Sequence, residues 1–572
     1  MKKTLQKTLG ILLSAAIAFA SVSVISYASS APPSMPGGSS GGPGKGANTQ
    51  EYDYSGSYSG ALTADGESKQ SDSETISATN SDQNAVLSEN GGTAAVTNGT
   101  ITKTGSDSDG DNCNFYGVNS IVLSVGDSSK VYIKDSNLSA DSEGSNGLFS
   151  TDSGTIYALN DTVTTTAGNS RGIDATYGGT VVASKMNIST SGDHSAALAT
   201  DRGGGNVSVA DSELKTQGAG SPLIYSTGDI EVSNVTGEAT GSQIAGMEGL
   251  NKIIILNSSL TSSNTKSSGS DPIADAVIIY QSTSGDADAS SSTSAEFQAI
   301  DSTLTSAITS GAFFYITNTT ADLLLKNATL NYDSDNAYLI RAEGNDSNNW
   351  GTAGSNGGKA TVTLDNETVS GNISADTISA LDIYIVNNST YTGSTYITTN
   401  SVNTDKSDSP ISVTLDSSSK WVLTGDSAVT NLSAANGAQI VDESGKTATI
   451  VAGGKTVVKG TSDVTLTVTG TYSAEADTSG ASSADSDFIS RTDFDSYFGT
   501  NTDTLFTSYS SGESTTTEKT TASSTSSNSS NDIKDSNNNE EQHQESFFIK
   551  IIERIRSFFR NIIDKIESIF SK

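Results

Sequence analysis

The chain has 572 residues, a net charge of −34 and one cysteine, Cys113. That charge repels nucleic acid, so none is expected as a partner, and a lone thiol excludes an intrachain disulfide. Only 34 % of residues are hydrophobic, so a core forms only if those residues are patterned; unpatterned, such a composition stays disordered.

Residues 1–28 read as a secretory signal. Lys2, Lys3 and Lys7 precede a mostly apolar run from Leu9 to Ile25, and Ser26-Tyr27-Ala28 offers a cleavage site. Removal takes the net charge to −37 and places the protein outside the cytoplasm. Residues 29–50 hold Pro32, Pro33, Pro36 and Pro43 among Gly and Ser, which makes a linker with nothing to pack.

A solenoid is expected over 51–475, beginning with one or two irregular leading coils before residue 130. Within them, Asp107, Asp109 and Asp111 alternate as calcium ligands do. Gly110 falls too early for the glycine of an EF-hand, and Val118 stands where a glutamate would close the loop. Calcium is the one cofactor this pattern suggests, against a plain acidic turn.

From Val131 to about Thr261 the sequence repeats itself six times. Val131, Ile156, Val181, Val207, Ile230 and Ile253 each open a short alternating segment, at spacings of 25, 25, 26, 23 and 23. Leu138, Val163, Ile188, Leu214, Val235 and Leu260 follow after a polar corner. A third patch closes the first five passes: Leu148-Phe149, Ile173, Ala197-Leu198, Leu223-Ile224 and Ile244. Alternation with period two marks strands with one buried face, and turn residues separate three of them per pass. One such coil cannot bury its inner face, but stacked coils share a continuous core. The fold class is therefore all-β, a single-stranded parallel β-helix, right-handed by the crossover rule. Asn137, Asn160, Asn187, Asn234 and Asn257 recur within Asn-x-Ser/Thr triplets and are expected at one corner, as glycosylation sites or as a stacked asparagine ladder.

Beyond residue 261 the repeat continues with insertions. Phe297, Leu323 and Val362 open further coils, spaced 44, 26 and 39. Polar stretches at 264–275, 284–294 and 343–358 read as loops on one edge, either a binding surface or tolerated insertions. Shorter spacing over 411–472, with Trp421-Val422-Leu423-Thr424-Gly425-Asp426-Ser427, resembles the closing coils of autotransporter passenger β-helices. A post-solenoid segment is assigned to 476–510 and a Ser/Thr/Asn-rich spacer to 511–545.

Residues 546–572 break with everything before. Phe547, Phe548, Ile551, Ile552, Ile555, Phe558, Phe559, Ile562, Ile563, Ile566, Ile569 and Phe570 fall at helical spacing on one face. Lys550, Arg554, Arg556, Arg560, Lys565 and Lys572 oppose them, against Glu553, Asp564 and Glu567. Charges at every turn exclude a bilayer span. An amphipathic α-helix of this kind lies on an anionic membrane surface or associates with copies of itself.

Gly117-Val118-Asn119-Ser120, the run from Arg171 to Gly179, Thr200-Asp201-Arg202-Gly203-Gly204-Gly205 and the run from Ser221 to Ile230 resemble a family of secreted, adhesin-like β-helix proteins of gut Gram-positive bacteria. The resemblance covers roughly residues 90–260. It implies a cell-surface setting and carries no activity to transfer. A looser resemblance is to clostridial β-helix proteins that bind cellulose or pectic acids with calcium, whose cation sites do not map onto this chain. The Gly-His-Gly and Arg-Ile-Lys phrases of pectin-degrading β-helix enzymes do not occur, and the two histidines are His194 and His543. Asp174, Asp193 and Asp201, near His194 and Arg202, read as solvated corner charges rather than a catalytic group.

The sequence thus implies a secreted, cell-surface adhesin-like protein without catalytic activity, retained by its terminal helix. Its partners would be an extracellular glycan or a host or bacterial surface. The alternatives are a calcium-assisted polysaccharide-binding protein and a pectate-lyase-like enzyme.

Overall fold

A computed structural model of the chain describes residues 50–287, 294–404 and 409–509. The signal at 1–28, nearly all of the 29–50 linker, the 511–545 spacer and the 546–572 helix lie outside them.

The described residues form a parallel β-helix with three faces. The first face runs from Gly60–Asp65 to Thr395–Thr398 as a sheet of 13 strands, and the second from Ser68–Asp72 to Tyr472–Ser473 as a sheet of 15. The third runs from Thr75–Ala78 to Thr329–Asn331 as a sheet of 10. A four-stranded sheet, from Thr368–Ser370 to Gln439–Asp442, takes the third position in later coils. The two leading coils are regular, each with one strand on every face.

Register follows the sequence repeat. On the second face Val131, Ile156, Val181, Val207, Ile230 and Ile253 are successive partners, and the file continues through Phe297, Leu323 and Val362. All are buried, as are Leu148, Ile173, Leu198 and Ile224 on the first face. Each such side chain contributes about 1.5–3 kcal/mol by leaving water. The third-face file corrects one expectation. Leu214 pairs with Gly237, not Val235, and Gly237 with Leu260. Val235 is buried at the corner before the strand. A β-carbon on Gly237 would stand 2.8 Å from Leu223 and 3.0 Å from Leu260, so only glycine lets these two large side chains close over the slot.

The corner between the second and third faces is one residue in the left-handed region. Asn98, Asp135, Asn160, Lys185, Asp211, Asn234, Asn257, Asp301 and Asn327 all sit there with positive φ. Asn and Asp tolerate that conformation best. Their side chains bond from coil to coil: Asn160 donates to Asp135 at 2.6 Å, Asn234 to Asp211 at 2.5 Å and Asn327 to Asp301 at 2.8 Å. The ladder is real but mixed. Asn137 and Asn187 do not belong to it; they open third-face strands instead. Beside it, Ser212, Ser258 and Ser302 each accept from a main-chain N–H of the preceding coil and donate to a carbonyl of their own. A second serine file, Ser145, Ser170, Ser195 and Ser221, stitches the corner between the third and first faces in the same way.

At the far end Trp421 is fully buried and donates its indole N–H to the carbonyl of Gly393 at 2.9 Å. An antiparallel hairpin, Thr449–Ala452 with Lys455–Val458, closes that end.

Candidate functional site

The segment expected to follow the solenoid folds back onto it. Residues 482–509 lie along the outside of the second face as a strap. The N–H of Ser482 donates to Thr363 Oγ1, that of Asp485 to Gln298 and that of Ile489 to Glu231. Lys252 ties the same segment with Asp485 at 3.1 Å, and also pairs with Asp229 at 2.9 Å. Further along, Tyr497 stacks on Tyr132 with ring centroids 3.7 Å apart. Two short helices, Thr492–Phe498 and Thr504–Thr507, present apolar residues to the sheet. Phe494 packs with Tyr157, Leu159 and Val182, and Phe506 with Ala210, Ile254, Leu256, Ile300 and Leu324.

Arg491 pins the strap. It is fully buried, and donates to Ser208 O at 3.0 Å, Ser208 Oγ at 2.8 Å, Ala183 O at 2.9 Å and Thr502 Oγ1 at 2.8 Å. Its guanidinium also lies 4.9 Å from the Phe494 ring and 5.2 Å from the Phe506 ring. Burial pulls its pKa down to about 10, leaving it charged at neutral pH.

The outside of the first face is covered too. Residues 50–58 place Tyr52 and Tyr58 against Leu87, Leu123, Val125 and Phe149. The helix Gly110–Tyr116 sits on the coils behind them, with Tyr116 stacked between Tyr54 and Tyr177. Over the later coils the 343–358 insertion brings Trp350 onto Tyr280, 4.5 Å between centroids, and against Ile278 and Tyr315.

Under that cover lies an ionic cluster. Arg171 pairs with Asp201 at 3.0 Å and Asp174 at 3.4 Å, and Arg202 pairs with Asp286 at 2.6 Å. Asn114 on the helix accepts from Arg171, and Arg202 lies 3.5 Å over the Phe115 ring. Burial lifts Asp174 to about 6 against the pull of Arg171, and lifts Asp201 well above the ordinary carboxylate range. These are not the solvated corner charges expected from sequence. The structure brings Asp174, Asp201 and Arg202 into one buried cluster, whereas Asp193 and His194 stand exposed at another corner.

Two of the three calcium-like acids have other partners. Asp109 is the N-cap of the helix, accepting from the N–H groups of Asp111 and Asn112. Asp107 accepts from the Cys113 thiol at 3.1 Å, and burial with this bond pushes that thiol's pKa far up. Among the described residues, no group of three His, Cys, Asp or Glu side chains is placed to hold a metal ion.

The third face has no such cover among the described residues. Its strands alternate strictly, with Ile101, Leu138, Val163, Ile188, Leu214, Leu260 and Leu304 inward. The outward positions form two files along the rod. One runs Thr75, Thr100, Asn137, Thr162, Asn187, Glu213, Thr236, Ser259, Thr303, Thr329. The other runs Ser77, Thr102, Ser139, Thr164, Ser189, Lys215, Glu238, Thr261, Thr305, Asn331. All but Glu213, Lys215 and Glu238 are Ser, Thr or Asn. No single strand is remarkable in the sequence; the files exist only once the register is known.

No family model, no curated protein and no solved structure matches this chain.

Proposed function

We propose that this chain is a secreted, cell-surface adhesin-like β-helix protein that binds an extracellular surface without catalysis, and that residues 546–572 hold it at the cell. The observation that carries this reading is the flat third face, uncovered among the described residues, a repeating polar surface on a rod whose other two faces are covered over much of their length by their own chain. Rigid repetition favours many weak contacts over one deep site. Two buried acids on the first face, Asp174 and Asp201, share Arg171 beneath the Gly110–Tyr116 helix, out of reach of a polymer. That placement supports an architectural role for them.

The test is to follow the full chain and a chain ending at residue 545 in a producing Gram-positive cell. The full chain should fractionate with the cell surface and the shortened one with the medium, and both should leave neutral and pectic polysaccharides uncleaved. Reducing ends released by purified protein would overturn the binding reading; equal release of both chains would overturn the role of the tail.

A further inference from the structure

We infer that the third face binds an extended, neutral, hydroxyl-rich polysaccharide chain lying along the rod, an inference that rests on the adhesin reading and names its ligand. Adjacent strands are about 4.8 Å apart, and alternate residues of one strand about 6.6 Å. The two outward files therefore form a regular two-dimensional lattice of hydroxyl and amide groups. Such groups both donate and accept, as sugar hydroxyls do. A polymer running across the strands meets an equivalent pair of side chains at every coil.

Charge selects the class of polymer. The protein as a whole stands at −34, yet these files hold only Glu213, Lys215 and Glu238. Lys215 and Glu213 neutralise each other at 2.6 Å. An anionic polymer meets no free cation on these two files and is repelled by the rest of the molecule. A cationic polymer meets only Glu213 and Glu238 on these files and finds far more acids on the rest of the molecule. A neutral polyol chain is the complement. The strand backbone already holds the side chains in register, so little order is lost on binding. Neighbouring hydroxyls also bond along the file, as Ser77 and Thr102 do at 2.8 Å. Each contact is weak, and affinity should grow with the number of coils engaged.

The test uses the mature chain, residues 29–572, in native gels containing soluble xyloglucan or, separately, polygalacturonate. Retardation is expected in xyloglucan and not in polygalacturonate, and binding of xyloglucan fragments should tighten with their length. The combined variant Thr102→Glu, Thr164→Glu, Ser189→Glu should lose at least tenfold in xyloglucan affinity with an unchanged melting curve. The converse variant Glu213→Thr, Lys215→Thr, Glu238→Thr fills the charged gap in both files and should bind severalfold more tightly. Retardation in xyloglucan that neither variant alters, or retardation confined to polygalacturonate, would overturn the inference. Adhesion of the wild-type chain to intact cells with no retardation in xyloglucan would defeat this ligand and leave the adhesin reading standing; absence of both would defeat the two together.

Discussion

The second and third faces share one core and differ entirely outside. Inward, both stack mostly Val, Ile and Leu, with Gly237 the one small residue between Leu214 and Leu260 on the third face. Outward, the second face carries Tyr132, Tyr157, Val182, Ile254, Leu256 and Leu324 beneath the strap, whereas the third carries mainly Thr, Ser and Asn with no cover among the described residues. A strand buried on both sides gives up alternation and reads as a continuous apolar run; a strand wet on one side keeps it. The difference teaches where the molecule is finished with its own chain and where it still faces outward.

The largest effect should come from the core that both faces share. Ile173 is fully buried between Leu148 and Leu198, and Ile173→Asp places a charge there with no partner, at a cost of several kcal/mol. Loss of the cooperative melt is expected by circular dichroism; an unchanged melt would remove Ile173 from the core. Next comes the strap. Phe506→Ala should cost about 3–5 kcal/mol of strap docking, seen as proteolysis within 476–509 while the solenoid persists. If the strap stays protected, its packing does not hold it. Arg491→Met leaves the carbonyls of Ser208 and Ala183 without their donor and should loosen the strap by about 1–3 kcal/mol.

A smaller effect is written in pH. Asp161 stands in the corner file where Ser212 and Ser258 both accept and donate. Its Oδ1 accepts from Ser136 N–H at 2.7 Å, and burial lifts its pKa from 3.8 to about 8. Glu367 fills the same kind of slot and is likewise lifted by burial to about 8. A carboxylic acid can donate as serine does; a carboxylate cannot. The folded chain therefore keeps protons that the unfolded chain releases. This stability is complete below pH 3.8 and lost as pH rises through about 8. The melting temperature should fall from pH 5 to pH 9, and Asp161→Ser should flatten that fall. An equally steep fall in the variant would show that Asp161 does not contribute. The smallest effect belongs to the bare face: Thr164→Ala should change stability by less than about 0.5 kcal/mol, and a larger loss would mean that Thr164 is packed rather than wet.

Much of the fold was legible because the solenoid writes its register into the sequence. The files from Val131 and Leu148 needed only a constant period. Val235 misled because an apolar corner residue resembles a strand residue when the true slot holds Gly237. Asn137 and Asn187 misled because a triplet motif ignores which residue takes the left-handed turn. The strap was missed although its trace was present: Ile253-Ile254-Ile255-Leu256 and Leu323-Leu324-Leu325 break alternation, and Phe488, Phe494, Leu505 and Phe506 supply a matching partner downstream. What no local pattern could give was the pairing of Arg171 with Asp201 or the seat of Arg491, since both depend on contacts between residues far apart in the chain. The two hydroxyl files were hidden for the same reason.

The contrast between the covered and the bare face is tested most directly by thiol accessibility. The native Cys113 is buried, so a new cysteine reports on its own site. In the folded mature chain, Thr164→Cys should react with a maleimide at the rate of a free thiol. Val182→Cys should be protected, and should gain reactivity when Phe494→Ala and Phe506→Ala loosen the strap. Equal, rapid labelling at both positions in the otherwise intact chain would contradict it.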